Sequence, residues 1–210
     1  MPGSATITGM LRAPSILTIA QALATSPPEH TNEIPPDRKA AVAAVLRPCA
    51  VADGAAELLF IRRAEHPRDP WSGHMALPGG RIDPTDPNPV ATAIREAREE
   101  VALDLASDAR LLGGMTEVRT HLRRNKVPYS VLPFVFALER NPPLRPNEEV
   151  QEALWVPLTF FVDRDNRRSM TWMHNGVPLP LPCYHWGKHV IWGLTLRIVD
   201  NLLALVSKAA

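Results

Sequence analysis

Apolar residues recur along this chain in two periods, and the switches between them mark out its elements. Residues 14–24, PSILTIAQALA, carry apolar side chains at helical spacing and read as a short amphipathic docking helix. Residues 39–47, KAAVAAVLR, and 57–63, ELLFIRR, are short apolar runs of strand length, and Asp53-Gly54 between them predicts a hairpin. At about 100° per residue, Val90, Ile94, Ala97 and Val101 share one side of a second helix while Glu96, Glu99 and Glu100 gather nearly opposite. That helix has a marked start: Asn88 suits the N-cap, and Pro89 suits the first helical position, where its missing N–H is not needed. Residues 109–118, 127–138 and 151–156 read as strands, 158–162 as a short helix, and 170–182 as a hairpin turned at Asn175-Gly176. A terminal amphipathic helix over 190–206 carries Ile191, Leu194, Ile198, Leu202 and Leu205 at helical spacing.

Strands flanking a helix, more strands and then a terminal helix predict an α+β chain, with an α/β/α sandwich around a mixed sheet. The expected organisation is a helix and Pro-rich linker over 1–36 followed by one domain over 37–210. Proline, 22 of 210 residues, is in clusters between the apolar runs and predicts stiff loops between elements. A net charge of +1 offers no field to gather a nucleic acid or an acidic membrane surface, so neither is expected as a partner. No apolar run approaches the ~20 residues that cross a bilayer, no signal peptide is evident, and two cysteines make no disulfide framework. A reduced, cytoplasmic setting follows as the expectation, with a homodimer left open.

The candidate chemistry is concentrated between Leu77 and Leu103. Three carboxylates at i, i+3 and i+4 repel one another, and a divalent cation such as Mg²⁺ would turn that repulsion into coordination. The competing reading is a solvated acidic face partly neutralised by Arg95 and Arg98. Gly79-Gly80 upstream lets the backbone approach a ligand closely, with the Gly80 carbonyl a candidate metal ligand, although a plain tight turn uses the same pair. The loop over 64–75 adds Glu65, His66, Arg68, Asp69, Trp71, Ser72 and His74. A basic turn over 121–126 suits either a phosphate or solvent. Cys183, His185 and His189 fall one ligand short of a structural zinc site, and the tryptophans, with no basic stripe beside them, read as packing.

Gly80 followed by Arg95-Glu96-Ala97-Arg98-Glu99-Glu100-Val101 resembles the Nudix box, G-x5-E-x7-R-E-U-x-E-E-x-G-U with U aliphatic. Asp86 stands where the box has its first Glu, the gap from there to Arg95 is one residue longer, and Ala102 replaces a glycine, where φ > 0 would strain any side chain. The resemblance implies a Nudix sandwich whose Glu96, Glu99 and Glu100 hold Mg²⁺ or Mn²⁺ with Gly80 and are oriented by Arg95. The general base would come from Glu99 or Glu100 in the box, or from Glu148 or Glu149 in the later loop.

Residues 58–64 with Arg68, Gly73 and Leu77-Pro78-Gly79-Gly80 are similar to the motif preceding the box in coenzyme A diphosphatases, with Phe60 for Thr, Arg63 for Ser and Leu77 for Phe. This implies a small-molecule nucleotide substrate, coenzyme A or an acyl-coenzyme A, with Arg62 and Arg68 as phosphate contacts. ADP-ribose or a nucleotide sugar, a non-hydrolytic nucleotide sensor and an RNA-processing Nudix protein are the alternatives.

Overall fold

The computed structural model describes residues 14–29, 34–50, 52, 54–66, 72–120, 128–174 and 176–209. Helix α1, Ile16–Thr25, opens on a capping box in which Ser15 Oγ accepts from the Thr18 N–H and Thr18 Oγ1 accepts from the Ser15 N–H. Strands β1 (Lys39–Pro48) and β2 (Ala56–Arg63) form the expected antiparallel hairpin, in register from Leu46 opposite Leu58 to Pro48 opposite Ala56. Gly54 in its turn takes φ +73, while Asp53 lies outside the described residues. There follow β3 (Met75–Ala76), β4 (Gly79–Arg81), α2 (Pro89–Val101), α3 (Leu105–Asp108), β5 (Ala109–Gly114), β6 (Val118–Arg119), β7 (Ser130–Leu138) and β8 (Val150–Pro157). The chain ends with α4 (Leu158–Val162), β9 (Arg167–His174), β10 (Val177–Trp186), β11 (His189–Trp192) and α5 (Gly193–Ala209).

Strands β1 to β8 make one mixed sheet in the order β3-β2-β1-β7-β5, with β4 joined to β1, β6 to β7 and β8 to β2. The β1–β7 pair is parallel, from Lys39 opposite Ser130 to Leu46 opposite Ala137. Beyond their hairpin β1 and β2 part company: Ala40–Val42 pair with β4 and Ile61–Arg62 pair with β3. The Gly-Gly segment is thereby wedged between the two central strands.

Both faces of the sheet are covered, so its central strands are apolar on both sides rather than alternating. Leu46, Leu58 and Phe60 meet Ile19 and Leu23 of α1 and Leu196, Val199 and Leu202 of α5 on one face. Ala43, Val45, Leu59 and Ile61 meet Ala93, Ala97 and Val101 of α2 on the other. Truncating one of these fully buried leucines to alanine costs about 2–5 kcal/mol. The expected α/β/α sandwich is the observed one.

Three element readings change. The strand expected over 109–118 shifts register against β7 between Leu111 and Gly113, ends at Gly114, and pairing resumes only at Val118 as β6. The terminal helix expected from 190 begins at Gly193, since Val190–Trp192 pair with Cys183–His185 as β11 and Gly193 at φ +65 turns the chain out of that strand. The hairpin expected over 170–182 runs from Arg167 to Trp186, with Asn175 outside the described residues. Helix α2 ends as its sequence suggested: Ala102 is left-handed at φ 57 and ψ 32, the one such non-glycine among the described residues.

Candidate active site

Asn88 caps α2 by accepting from the Ala91 N–H at 3.0 Å, which sets where the helix begins and which side chains meet β4. Close approach of backbone requires glycine at 79, and Gly80 lies against the end of a side chain. A Cβ on Gly79 would fall 2.4 Å from the Ala41 carbonyl oxygen, and one on Gly80 would fall 2.4 Å from Glu96 Oε1. Gly79 also donates its N–H to Glu100 Oε2 at 2.9 Å. The Gly-Gly pair and two of the three box carboxylates are therefore in direct contact, Gly79 reaching across 21 residues of sequence to Glu100.

The three carboxylates are not one solvated face. Glu99 leaves 54% of its side chain exposed and Glu96 only 15%, while Glu100 as a whole residue is 2% exposed. Burial pushes the Glu100 carboxyl up to about 8, with repulsion from Glu96 and Glu149 adding to it and the Gly79 N–H and the Arg63 charge opposing. Burial also raises Glu96, with Arg95 opposing and Glu99 and Glu149 adding.

Arg95 organises the rest. Its guanidinium reaches Asp86 Oδ2 at 3.1 Å and Oδ1 at 3.3 Å, Glu96 Oε1 at 2.9 Å, Glu99 Oε2 at 3.0 Å and the Arg81 carbonyl at 3.4 Å. Asp86, which departs from the box Glu, anchors Arg95 from a folded-back loop and also accepts from Thr92 Oγ1 at 2.8 Å. With Arg95 between Glu96 and Glu99 and Glu100 turned onto Gly79, no three His, Cys, Asp or Glu side chains among the described residues converge as a ligand set.

The loop over 141–149 closes this end of α2. Arg145 N donates to the Val101 carbonyl and Asn147 N to the Glu100 carbonyl, both at 2.9 Å, so the last turn of the helix is covered. The Glu149 carbonyl in turn accepts from Ala64 N at 2.7 Å. Both loop carboxylates are exposed, and Glu149 is the one whose charge acts on Glu96 and Glu100.

The arginines expected to contact phosphate divide differently from their sequence order. Arg62 donates to Glu65 Oε1 at 3.2 Å and to the Gly73 carbonyl at 3.4 Å, bracing the loop after β2. Arg63, which stands where the motif has serine, is the residue whose charge acts on Glu100. Alternation explains the division: Leu58 and Phe60 face α5, Leu59 and Ile61 face α2, and Arg63 continues the second set. A register shift in β8 at Arg62/Arg63 sets Val150 opposite Arg63. The period-two pattern held this signal. Arg68 and the basic turn over 121–126 lie outside the described residues. Cys183 is buried, His185 is exposed, and His189 lies 3.4 Å from Glu152, so these three form no zinc site.

Residues 37–173 match the family model described as the NUDIX domain. Over 169 residues, 80% of this chain and 70% of the relative, the sequence is 34% identical to the human mitochondrial coenzyme A diphosphatase NUDT8. It is 33% identical over 151 residues to the uncharacterized Nudix hydrolase NudL of Yersinia pestis, covering 71% of this chain and 72% of that one. Among solved structures, a MutT/nudix family protein from Enterococcus faecalis superposes with a TM-score of 0.50 over 92% of this chain and 70% of its own, at 16% identity, a likeness of fold alone.

Proposed function

Because the chain belongs to the Nudix family of hydrolases, we propose that it is a Mg²⁺- or Mn²⁺-dependent diphosphatase acting on a nucleotide, with coenzyme A or an acyl-coenzyme A as substrate. The observation that carries this reading is the seating of Gly79 and Gly80 on Glu100 and Glu96, which sets two shielded, mutually repelling carboxylates beside an exposed third. That donor set is all oxygen, the chemistry Mg²⁺ and Mn²⁺ prefer, so its chemistry fits such an ion, which would draw Glu99 from Arg95 and Glu100 from Gly79. Glu96, Glu99, Glu100 and the Gly80 carbonyl would hold it. A bound divalent ion supplies Lewis acidity toward phosphoryl oxygens and makes a coordinated water easier to deprotonate.

The chain's own groups supply the rest. Arg95, fixed by Asp86, orients Glu96 and Glu99 and prevents their collapse outward. A water oxygen bonds to one phosphorus of the diphosphate, the bridging P–O bond breaks, and the water's proton passes to a carboxylate. The coupling of Glu149 to the site supports it over Glu148 as the loop acceptor, with Glu99 and Glu100 as the box candidates. From coenzyme A the products would be adenosine 3′,5′-bisphosphate and 4′-phosphopantetheine. Arg63 is proposed as the strand's phosphate contact in place of Arg62. The free cysteines, Cys49 and Cys183, support a reduced, cytoplasmic setting.

The test is a metal-supplemented panel of coenzyme A, acyl-coenzyme A, ADP-ribose, a nucleotide sugar and NADH with chromatographic separation of products. Preferred cleavage of the coenzyme A species is the expected result. Preference for ADP-ribose would replace the substrate assignment, and cleavage of none would leave a nucleotide sensor.

A further inference from the structure

Among the described residues, two tryptophans belong to neither hydrophobic core, and Trp71 lies outside those residues. Trp155 packs with the cluster under α2 and Trp186 with the cluster under α5, whereas Trp172 and Trp192 are partly exposed and pack with neither. They lie against each other instead, ring centroids 4.7 Å apart and tilted by 38°, and His74 meets Trp192 edge-on at 5.0 Å and Trp172 at 6.4 Å.

Three separate constraints build this cluster. Trp172 and Trp192 are on different strands of the small sheet β11-β10-β9. Gly193 at φ +65 ends β11 directly after Trp192, and Thr195 Oγ1 then donates to the Met75 carbonyl at 3.0 Å, tying the start of α5 to the residue after His74. The His74 carbonyl accepts from Arg63 N at 3.1 Å, so its backbone is fixed to the end of β2 on the other side.

The cluster is also joined to the catalytic end of the sheet. His74 precedes Gly79 by five residues, which at about 3.3 Å per residue is at most about 16 Å, on the scale of a nucleoside diphosphate. Its strand neighbour Arg63 is the arginine coupled to Glu100. Partly exposed aromatic rings held rigid outside the core are suited to stacking a flat heterocycle, and every base presents such a face.

We infer that His74, Trp172 and Trp192 form a stacking platform for the heterocyclic base of the nucleotide whose diphosphate is cleaved beside Gly80 and Glu96. The inference rests on the diphosphatase reading for its substrate class. It gives the three-stranded sheet, which lies largely beyond the matched family domain, a role in substrate selection.

The test compares ligands that differ by the base alone. Calorimetry on the full chain with Mg²⁺ should find adenosine 5′-monophosphate bound about tenfold or more tightly than ribose 5-phosphate. W172L and W192L should bring that ratio close to one, while W172F and W192F retain most of it. An unchanged ratio in the leucine variants, no base preference in the parent, or equal weakening of both ligands would overturn the platform. So would a loss that follows acyl-chain length in acyl-coenzyme A instead of the base.

If a leucine variant does not fold, tryptophan fluorescence of the parent decides. Quenching by adenosine 5′-monophosphate and not by ribose 5-phosphate supports stacking, and equal responses refute it. Failure to cleave any diphosphate in the substrate panel would sink the hydrolase reading while these binding ratios still decide the platform.

Discussion

A Cβ on Gly80 would stand 2.4 Å from Glu96 Oε1 and 2.6 Å from its carboxyl carbon, so the glycine and the glutamate occupy one site jointly. Gly80→Ala must displace the carboxylate, because the clash is with the functional group itself. The expected result is a loss of about 10–100-fold in divalent-ion affinity or activity, measured by metal titration of turnover. Unchanged metal dependence would show that Glu96 does not need its observed position.

Asp86 and Arg95 form the bracket behind that site, with Asp86 8% exposed at its side chain. The Arg95 guanidinium and the Thr92 hydroxyl hold the Asp86 carboxyl below the usual aspartate range. A depressed acid stabilises the fold above its unfolded pKa of about 3.9 and loses that contribution as pH falls through the depressed value. Asp86→Ala should cost about 1–3 kcal/mol at neutral pH and should remove part of the acid destabilisation of the parent. Asp86→Glu, which restores the residue of the family box, should retain most of the activity. Denaturant melts across acid pH check the first pair of outcomes and an activity assay the last.

Glu100 has the opposite sign. An acid whose pKa is raised on folding, here to about 8, opposes folding when ionised, so the metal-free protein should lose stability as pH climbs from about 4.5 through about 8. Thermal melts in chelator should show this slope in the parent and a flatter one in Glu100→Gln. Mg²⁺ or Mn²⁺ should restore most stability at the alkaline end. A parent and variant with identical pH profiles would rule out a buried ionisable Glu100.

Turnover separates the carboxylates from their surroundings. Glu99→Gln and Glu100→Gln should each lower kcat by about 10²–10⁴-fold. Both variants as active as the parent would refute the metal-site assignment. Arg63→Ala should lower kcat/KM by at least about tenfold, whereas Arg62→Ala, which removes a loop brace, should act mainly on stability. Steady-state kinetics and a thermal melt on the two variants distinguish these roles.

Ala102 ends α2 in the left-handed region at φ 57, a conformation that costs a side-chain-bearing residue about 1 kcal/mol relative to glycine. Ala102→Gly should therefore stabilise the protein by roughly that amount and raise Tm by about 2–4 °C, without changing kcat. A lower Tm would mean that the Ala102 methyl contributes packing that outweighs its strain.

Local patterns in the sequence were enough for the elements whose determinants lie close together in the chain. Asn88 and Pro89 mark the start of α2, Ala102 its strained end, and the apolar runs of β1 and β2 their place in the middle of a covered sheet. Helical periodicity alone nevertheless grouped Glu100 with Glu96 and Glu99. The Glu100 carboxylate accepts from the Gly79 N–H and its carbonyl from the Asn147 N–H, residues that no local window contains. The start of α5 differs from its pattern for a related reason: Val190, Ile191 and Trp192 fit a helical pattern as well as a strand, and their pairing with β10 decides the matter.

Residue type and spacing alone therefore carry the family, the two-layered covering of the sheet, and a Gly-Gly pair followed by three glutamates and their arginine. Each depends on residue type and spacing over a few turns of chain. Which carboxylate is buried, and that His74, Trp172 and Trp192 meet, were settled by contacts that local pattern does not carry. Those outcomes depend on hydrogen bonds and packing between segments distant in sequence, where burial sets the cost of a charge and the approach of one backbone to another decides which side chains have room.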